Sequence, residues 1–600
     1  MSSTRRPEQL WAAFDFPRHP LAREDGERLR GAFYEAPAQR LLAHSPGELA
    51  GVIAQAQQAA RAGAWVLGGL RYEAAGALDA ALATRASAQP LAEFAIYHQA
   101  PQPWPAEADC FTGPLGWADV QADADEAVQI ERVREWIRAG DCYQINLTTR
   151  LHAALPADLD PARLFLALHA QQPGGFSLFL RSAGVASVSP ELFFDWRPLP
   201  ESQRSWLLAA QPMKGTAPRG NDVVEDEAAQ AYLRTSEKER AENLMIVDLL
   251  RNDLGRVATL GSVRVPRLFE LHALPTVWQM TSTVTAVSRP GLSLAEVFAA
   301  LFPCGSVTGA PKVRAMQIIR ELEPDARGWY CGALGLMQPG GVATFNVPIR
   351  TVEWQGERLQ CGIGSAITLD SEPAAELAEW RAKTRFLLRA EAPIAALETL
   401  RLEQGAYQRL PGHLARLQRT AQHFGLRLSP ARVREALQAL AAQHGEGCWR
   451  VRLTLDAQGA IHAEALAYAP SPLPLRLALA PEPIASLGAA AEFVQHKTTR
   501  RELYEACARH KPAAAFDLLL WNTQEELTEC SFGNIALQID GEWLTPARAS
   551  GLLPGVLREE LLAQGRVREA RLLKSDLARA QALAFFNSLR GWCPAELITS

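Results

Sequence analysis

Apolar residues along this chain fall into short runs divided by glycine, proline and polar clusters, with a few stretches of helical period. Ala64-Trp65-Val66-Leu67-Gly68-Gly69-Leu70 reads as a buried strand that ends in a turn, flanked by alanine-rich helices. From Asp123 the pattern changes: Val128, Ile130, Val133 and Ile137 share one helical face, and Gly140 stops the helix. Strands with alternating character follow Asp141–Leu147 and precede Ser189-Pro190-Glu191. Another strand, Trp206–Ala210, leads into a proline-fixed turn, Gln211-Pro212-Met213-Lys214-Gly215-Thr216. Residues 222–250 predict one long amphipathic helix, closed by Arg251–Gly255. Strands resume near Val263 and over Val277–Val287. Phe302–Lys312 is a glycine-rich loop with a helix opening near Pro311, which suits a first-turn proline. Cys361–Ala366 reads as a second glycine-rich turn, followed by a further helix.

The composition shifts between Leu388 and Leu397, marking a boundary. The expected organisation is residues 1–120 as an N-terminal part, 121–388 as a catalytic domain and 397–600 as a separate α/β domain. With 600 residues, one core is too small an allotment. The chain is 48% hydrophobic and 21% charged, an ordinary globular composition. A net charge of -5 speaks against a nucleic-acid or membrane-surface partner. Nine cysteines without a CxxC pair argue against a zinc site or a disulfide framework. No apolar run approaches the ~18 residues of a spanning helix. No signal-peptide pattern follows Met1–Arg6, so a cytoplasmic protein is expected.

Candidate chemistry gathers in two places. Glu239 and Glu242 are three residues apart on one predicted helix, and Glu376 and Glu379 on another, so each pair shares a face. Two such pairs suit one hard cation such as magnesium. The 302–312 loop and helix start would present N–H groups to an anion. Lys214, between a proline and a glycine, is a candidate nucleophile if its surroundings keep some of its amine unprotonated.

Seven motifs in order, SPELFF, PMKGT, ERAENLMIVDLLRNDLGR, GSVTGAPK, RGWYCGALG, NVPIRT and the ExxE at Glu376, resemble the chorismate-utilising enzymes. That resemblance covers about residues 120–388 and implies a large α/β (α+β) sandwich of two sheets with helices outside. It implies magnesium on Glu239, Glu242, Glu376 and Glu379, holding the ring carboxylate of chorismate. Arg350 and Tyr330 would take the enolpyruvyl carboxylate, with Thr216, Ser306, Gly362 and Gly364 completing the pocket. Glu191 would be the acid that protonates the departing 4-hydroxyl. A lysine in the PMKGT stretch is similar to the aminodeoxychorismate synthase branch, where this amine attacks ring carbon 2; the anthranilate and isochorismate branches have a small residue there. The family's HxxS histidine is replaced by Gln279. No cysteine stands in a stretch resembling a glutaminase elbow, so ammonia is expected from a glutamine amidotransferase subunit.

Beyond the boundary, His496-Lys497-Thr498-Thr499-Arg500-Arg501, opening a helical segment, then Thr528-Glu529-Cys530-Ser531 and Gly551–Arg558 resemble the fold-type IV pyridoxal-phosphate enzymes. That group includes branched-chain and D-amino-acid aminotransferases and aminodeoxychorismate lyase. The resemblance makes Lys497 the cofactor lysine and puts Glu529 at the pyridine nitrogen. It puts Arg416, the N–H groups of Val556 and Leu557, and Ser588 on the phosphate. His413 reads as structural. The usual opening strand and Gly-Asp-Gly turn are missing before Ala396-Leu397-Glu398-Thr399. The two halves together imply conversion of chorismate to 4-aminobenzoate, with a homodimer through the second domain left open. The alternatives are an anthranilate- or isochorismate-type synthase fused to an aminotransferase, or to an inactive docking module.

Overall fold

The computed structural model describes residues 9–21, 26–105, 111–119, 123–172, 174–199, 202–218, 223–273, 277–487 and 489–598. The chain divides into two compact units, one through Ala392 and one from Pro393.

The first unit is built on two antiparallel sheets. Among the described residues, one sheet has nine strands, its centre running Gln144–Ala154, Arg358–Ile367, Thr351–Gln355, Val185–Ser189, Phe176–Leu180 and Ala12–Pro17. The other has ten, including Met213–Pro218, Val277–Val287, Ser202–Gln211, Leu192–Leu199, Ala343–Asn346, Ala333–Met337, Trp65–Leu70 and Ala92–Tyr97. Alternation along each strand gives every sheet two apolar faces. The inner faces meet through Phe14, Phe33 and Leu178 from one sheet and Leu67, Tyr97 and Leu334 from the other. Phe33 stacks on Tyr97 with ring centroids 4.0 Å apart. Helices cover the outer faces. Pro46–Arg61, Glu237–Gly255 and Leu294–Leu301 pack on the ten-stranded sheet. Pro161–Gln171, Lys312–Leu322 and Pro373–Lys383 pack on the nine-stranded one. The expected two-sheet sandwich with helices outside is what the chain forms.

Several local readings need correction. The predicted helix over 222–250 is two helices, Val223–Thr235 and Glu237–Gly255. Ser236 breaks the run because its side chain caps the second helix, accepting the Glu239 N–H at 3.3 Å. Val128 is 61% exposed and lies off the buried stripe of helix Asp123–Arg138, which runs through Glu126, Ile130 and Val133. The PMKGT stretch is no turn: Met213–Pro218 is a strand paired with Val277–Val287, with a register shift between Met213 and Thr216. Pro212 lacks an N–H and interrupts the chain between two strands rather than reversing it. Cys361–Ala366 lies inside strand Arg358–Ile367, not in a turn. Gly362 is there for space: a Cβ on it would stand 2.2 Å from the Tyr330 ring.

Among its described residues, the second unit has a four-stranded sheet around Ala396–Glu403 and Cys448–Leu455, covered by helices Leu410–Phe424 and Pro430–Gln443. An eight-stranded mixed sheet carries Leu475–Leu479, Asp517–Trp521, Leu527–Cys530, Asn534–Ile539 and Ala582–Asn587. Lys497 does not open a helix. Helix Glu492–Gln495 ends before it, and Lys497 lies on a loop that pairs with the start of Ala396–Glu403. In that pairing the Leu397 N–H donates to the Lys497 carbonyl and the Thr499 N–H to the Ala395 carbonyl, both at 2.9 Å.

Candidate active sites

In the first unit Lys214 sits at the register shift of its strand, with its carbonyl accepting from Asn243 Nδ2 at 3.1 Å. Its charge acts on Glu191, Glu239, Glu242 and Glu379, so this amine lies within electrostatic range of the carboxylate cluster. Glu191, 4% exposed, stands just before strand Leu192–Leu199. Burial pushes its carboxyl up to about 7, against the pull of the Ser306 hydroxyl and Lys214. Ser306 Oγ donates to Glu191 Oε1 at 2.7 Å, fixing the acid in place.

Glu239 and Glu242 project from helix Glu237–Gly255, Glu376 and Glu379 from helix Pro373–Lys383. Burial lifts the carboxyls of Glu239 and Glu242 above the usual range. Glu379 adds to the lift at Glu239, and Glu239 and Glu376 add to it at Glu242. The two pairs therefore face one another and repel. Glu376 accepts from Ser365 Oγ. Partial burial works to lift Glu379, but Lys383, 2.7 Å away, outweighs it and holds it low. Among the described residues no three His, Cys, Asp or Glu side chains form a ready-made metal cage. Carboxylate oxygens facing one another from two helices are the donor type that a hard cation such as magnesium takes, alongside water and substrate oxygens.

Tyr330 is buried against Gly362, and Arg350 hydrogen-bonds Gln172. Burial, with Arg389 nearby, pushes the Arg350 guanidinium down to about 10, which marks a cation short of an anionic partner. Gly364 offers its carbonyl to Lys383 Nζ at 2.8 Å. Thr216 is exposed and its hydroxyl is spent on Gln279 Oε1 at 3.0 Å, while Gln279 Nε2 holds the Gly215 carbonyl at 2.9 Å. The residue in the place of the family histidine thus braces the lysine strand. Sequence reading gave no role to Asn243, although it lies inside the ERAENLMIVDLLRNDLGR motif, or to Lys383; the backbone carbonyls of Lys214 and Gly364 that they hold leave no mark in the sequence.

In the second unit burial pulls the Lys497 amine down to about 8, helped by Arg416 and Arg501 and opposed by Glu398 and Glu529. Glu529, 3% exposed, is pushed up to about 7 by burial. It accepts from Tyr504 Oη at 2.7 Å, the Leu553 N–H at 3.0 Å and Asn534 Nδ2 at 3.3 Å. Arg416 forks onto Glu398 at 2.9 and 2.7 Å. Burial would raise Glu398, yet Arg416 and His413 hold it at about 2. His413 bridges Glu398 Oε2 and Ser588 Oγ, each at 2.7 Å. Val556 and Leu557 open helix Val556–Ala563, where N–H groups have no partner within the helix. A buried amine near neutrality, a buried carboxyl, an arginine, a hydroxyl and a helix start form the donor set that pyridoxal phosphate uses. Glu398, Tyr504 and Asn534 were not legible in the sequence, because their partners lie 18, 25 and 5 residues away in other elements.

Comparison with known proteins agrees with this division. Residues 109–389 match the family of chorismate binding enzymes, and residues 395–598 match the class IV amino-transferases. An aminodeoxychorismate synthase component 1 from Klebsiella aerogenes is 42% identical over 284 residues, 47% of this chain and 61% of that protein. An anthranilate synthase component 1 from Streptomyces coelicolor is 38% identical over 281 residues, 46% of this chain and 53% of that protein. The chain thus spans less than two thirds of the length of these relatives. A Bacillus anthracis protein described as a 2,3-dihydroxybenzoate-specific isochorismate synthase shares the fold, with TM-score 0.50 at 20% identity over 64% of this chain and 96% of its own. The first unit thus carries a chorismate-binding enzyme domain, and the second a class IV amino-transferase domain.

Proposed function

We propose that this chain makes 4-aminobenzoate from chorismate and ammonia in the cytoplasm, in two steps on its two units. In the first, the Lys214 amine attacks ring carbon 2 while Glu191 gives its proton to the departing 4-hydroxyl. Ammonia then adds at carbon 4 and expels the lysine, so one difficult substitution becomes two allylic displacements. A carboxyl at about 7 is matched to donating a proton near neutral pH. Arg350 and Tyr330 would orient the enolpyruvyl carboxylate, and Ser306 the acid. Glu239, Glu242, Glu376 and Glu379 would hold magnesium, which neutralises the ring carboxylate when bound. A separate glutamine amidotransferase would supply the ammonia.

In the second step Lys497 would take the ring C4 proton of 4-amino-4-deoxychorismate, and the enolpyruvyl ether would leave as pyruvate. Pyridoxal phosphate supplies the electron sink for this elimination when bound. Lys497 would carry it, Glu529 would keep its ring nitrogen protonated, and Arg416, Val556, Leu557 and Ser588 would take its phosphate.

The observation that carries this reading is Lys214, an amine whose charge acts on Glu191 and on both carboxylate pairs. The test is the full chain with chorismate, ammonium and magnesium, with 4-aminobenzoate as the expected product. Lys214→Ala should abolish ammonia incorporation, and intact protein caught during turnover should carry a mass adduct on the Lys214 peptide. Anthranilate or isochorismate as the product would reject the assignment.

A further inference from the structure

Four successive backbone N–H groups, from Arg327 to Tyr330, are each taken by a carboxylate oxygen. Glu73 Oε1 accepts from Arg327 at 2.7 Å and Glu73 Oε2 from Gly328 at 3.1 Å. Glu353 Oε2 accepts from Trp329 and Glu353 Oε1 from Tyr330, both at 3.1 Å. The two acids come from opposite sheets. Glu73 is on the turn after strand Trp65–Leu70 of the ten-stranded sheet, and Glu353 is within strand Thr351–Gln355 of the nine-stranded one. Gly328 has φ of +69°, and a Cβ there would stand 2.7 Å from Glu353 Oε2, so the segment is shaped to receive these oxygens.

The side chains extend the clamp. The Arg327 guanidinium, 1% exposed, donates to the Val307 and Asn146 carbonyls at 2.7 Å and pairs with Glu323 at 2.6 Å. Val307 is the neighbour of Ser306, so the same segment that carries Tyr330 also steadies the loop that holds Glu191. Arg71 lies over the Trp329 ring at 4.3 Å and its charge acts on both Glu353 and Glu73. A loop needs no such double anchor for stability alone, since N–H groups in turns are ordinarily met by water or carbonyls. Two buried or half-buried acids spent on consecutive amides fix a backbone position closely.

We propose that Glu73 and Glu353 are positioning residues that set Tyr330, and through Arg327 the Ser306 loop, for binding the enolpyruvyl carboxylate. The inference rests on the proposed amination of chorismate. Glu353→Gln keeps the size of the side chain but turns one acceptor into a donor facing an N–H. The measurement is steady-state amination of chorismate by the full chain with saturating ammonium and magnesium, together with thermal melting. A rise in KM for chorismate of about tenfold is expected well below the melting temperature, with kcat changed less than about twofold, while the amide left without its acceptor lowers melting only modestly. Glu73→Gln should act in the same direction. In a double-mutant cycle, Glu353→Gln in a Tyr330→Phe background should add little, because both changes remove one function. Additive effects in that cycle, or an unchanged KM in both glutamine variants, would overturn the positioning role. A wild-type chain inert toward chorismate and ammonium would instead sink the proposed function itself.

Discussion

Replacing Glu191 by glutamine should separate the cost of this acid from its use. The carboxyl is 4% exposed and pushed up to about 7, against about 4.5 for an unfolded glutamate. A raised folded-state value means that the folded protein holds its proton more tightly than the unfolded chain does. The stability tied to the neutral form is therefore complete below about pH 4.5 and is lost as pH rises to about 7. A difference of about 2.5 pH units corresponds to about 3 kcal/mol. Glutamine never ionises, and its carbonyl can still accept from the Ser306 hydroxyl that donates at 2.7 Å. The stability of Glu191→Gln relative to wild type should thus climb by about 2.5 kcal/mol between pH 5 and pH 8. Urea unfolding of the metal-free protein across that range, followed through the transition of the first unit, measures this. The same variant should lose about 10²- to 10⁴-fold in amination, because an amide donates no proton to a leaving hydroxyl. In wild type, amination should fall as pH rises through about 7, where the acid form is lost. Parallel stability–pH curves for the two proteins would refute the burial argument, and a fully active glutamine variant would refute the acid role.

Two other substitutions probe the packing under each site. Gly362→Ala puts a methyl 2.2 Å from the Tyr330 ring and should destabilise the first unit by about 1–3 kcal/mol while raising KM for chorismate; an unchanged KM would show that the ring yields without consequence. Glu398→Gln leaves the buried Arg416 without its anion and should cost the second unit about 3–5 kcal/mol by urea unfolding. Binding of pyridoxal phosphate to that variant, followed by absorbance, should weaken as Arg416 and Ser588 lose their fixed geometry.

Much of the architecture could be read from the chain because its signals are local. Apolar runs marked Trp65–Leu70 and Val277–Val287, and a three-residue interval put Glu239 beside Glu242. Where a side chain answers to a distant partner, the local rule failed. Glycines at 362 and 364 read as a turn, since nothing nearby in sequence announces the Tyr330 ring that needs the room. Ser236 sits in a helical period and breaks it through its own hydroxyl. Glu353 looks like a polar position on a strand, and its partners Trp329 and Tyr330 are 24 and 23 residues away. Glu398 lies in a short strand with no motif around it, although it holds Arg416 and His413 together.

The pairing of Ala395–Leu397 with the Lys497 loop has a practical consequence for taking the protein apart. The residues just past the unit boundary carry no assigned site residue, yet their backbone is the wall against which the loop of Lys497, the proposed cofactor lysine, is laid. A separately expressed second half that begins at Glu398 would lose both of those amide–carbonyl contacts and present a slack lysine. One that begins at Pro393 keeps them, so a fragment cut there should bind pyridoxal phosphate more tightly than one cut at Glu398.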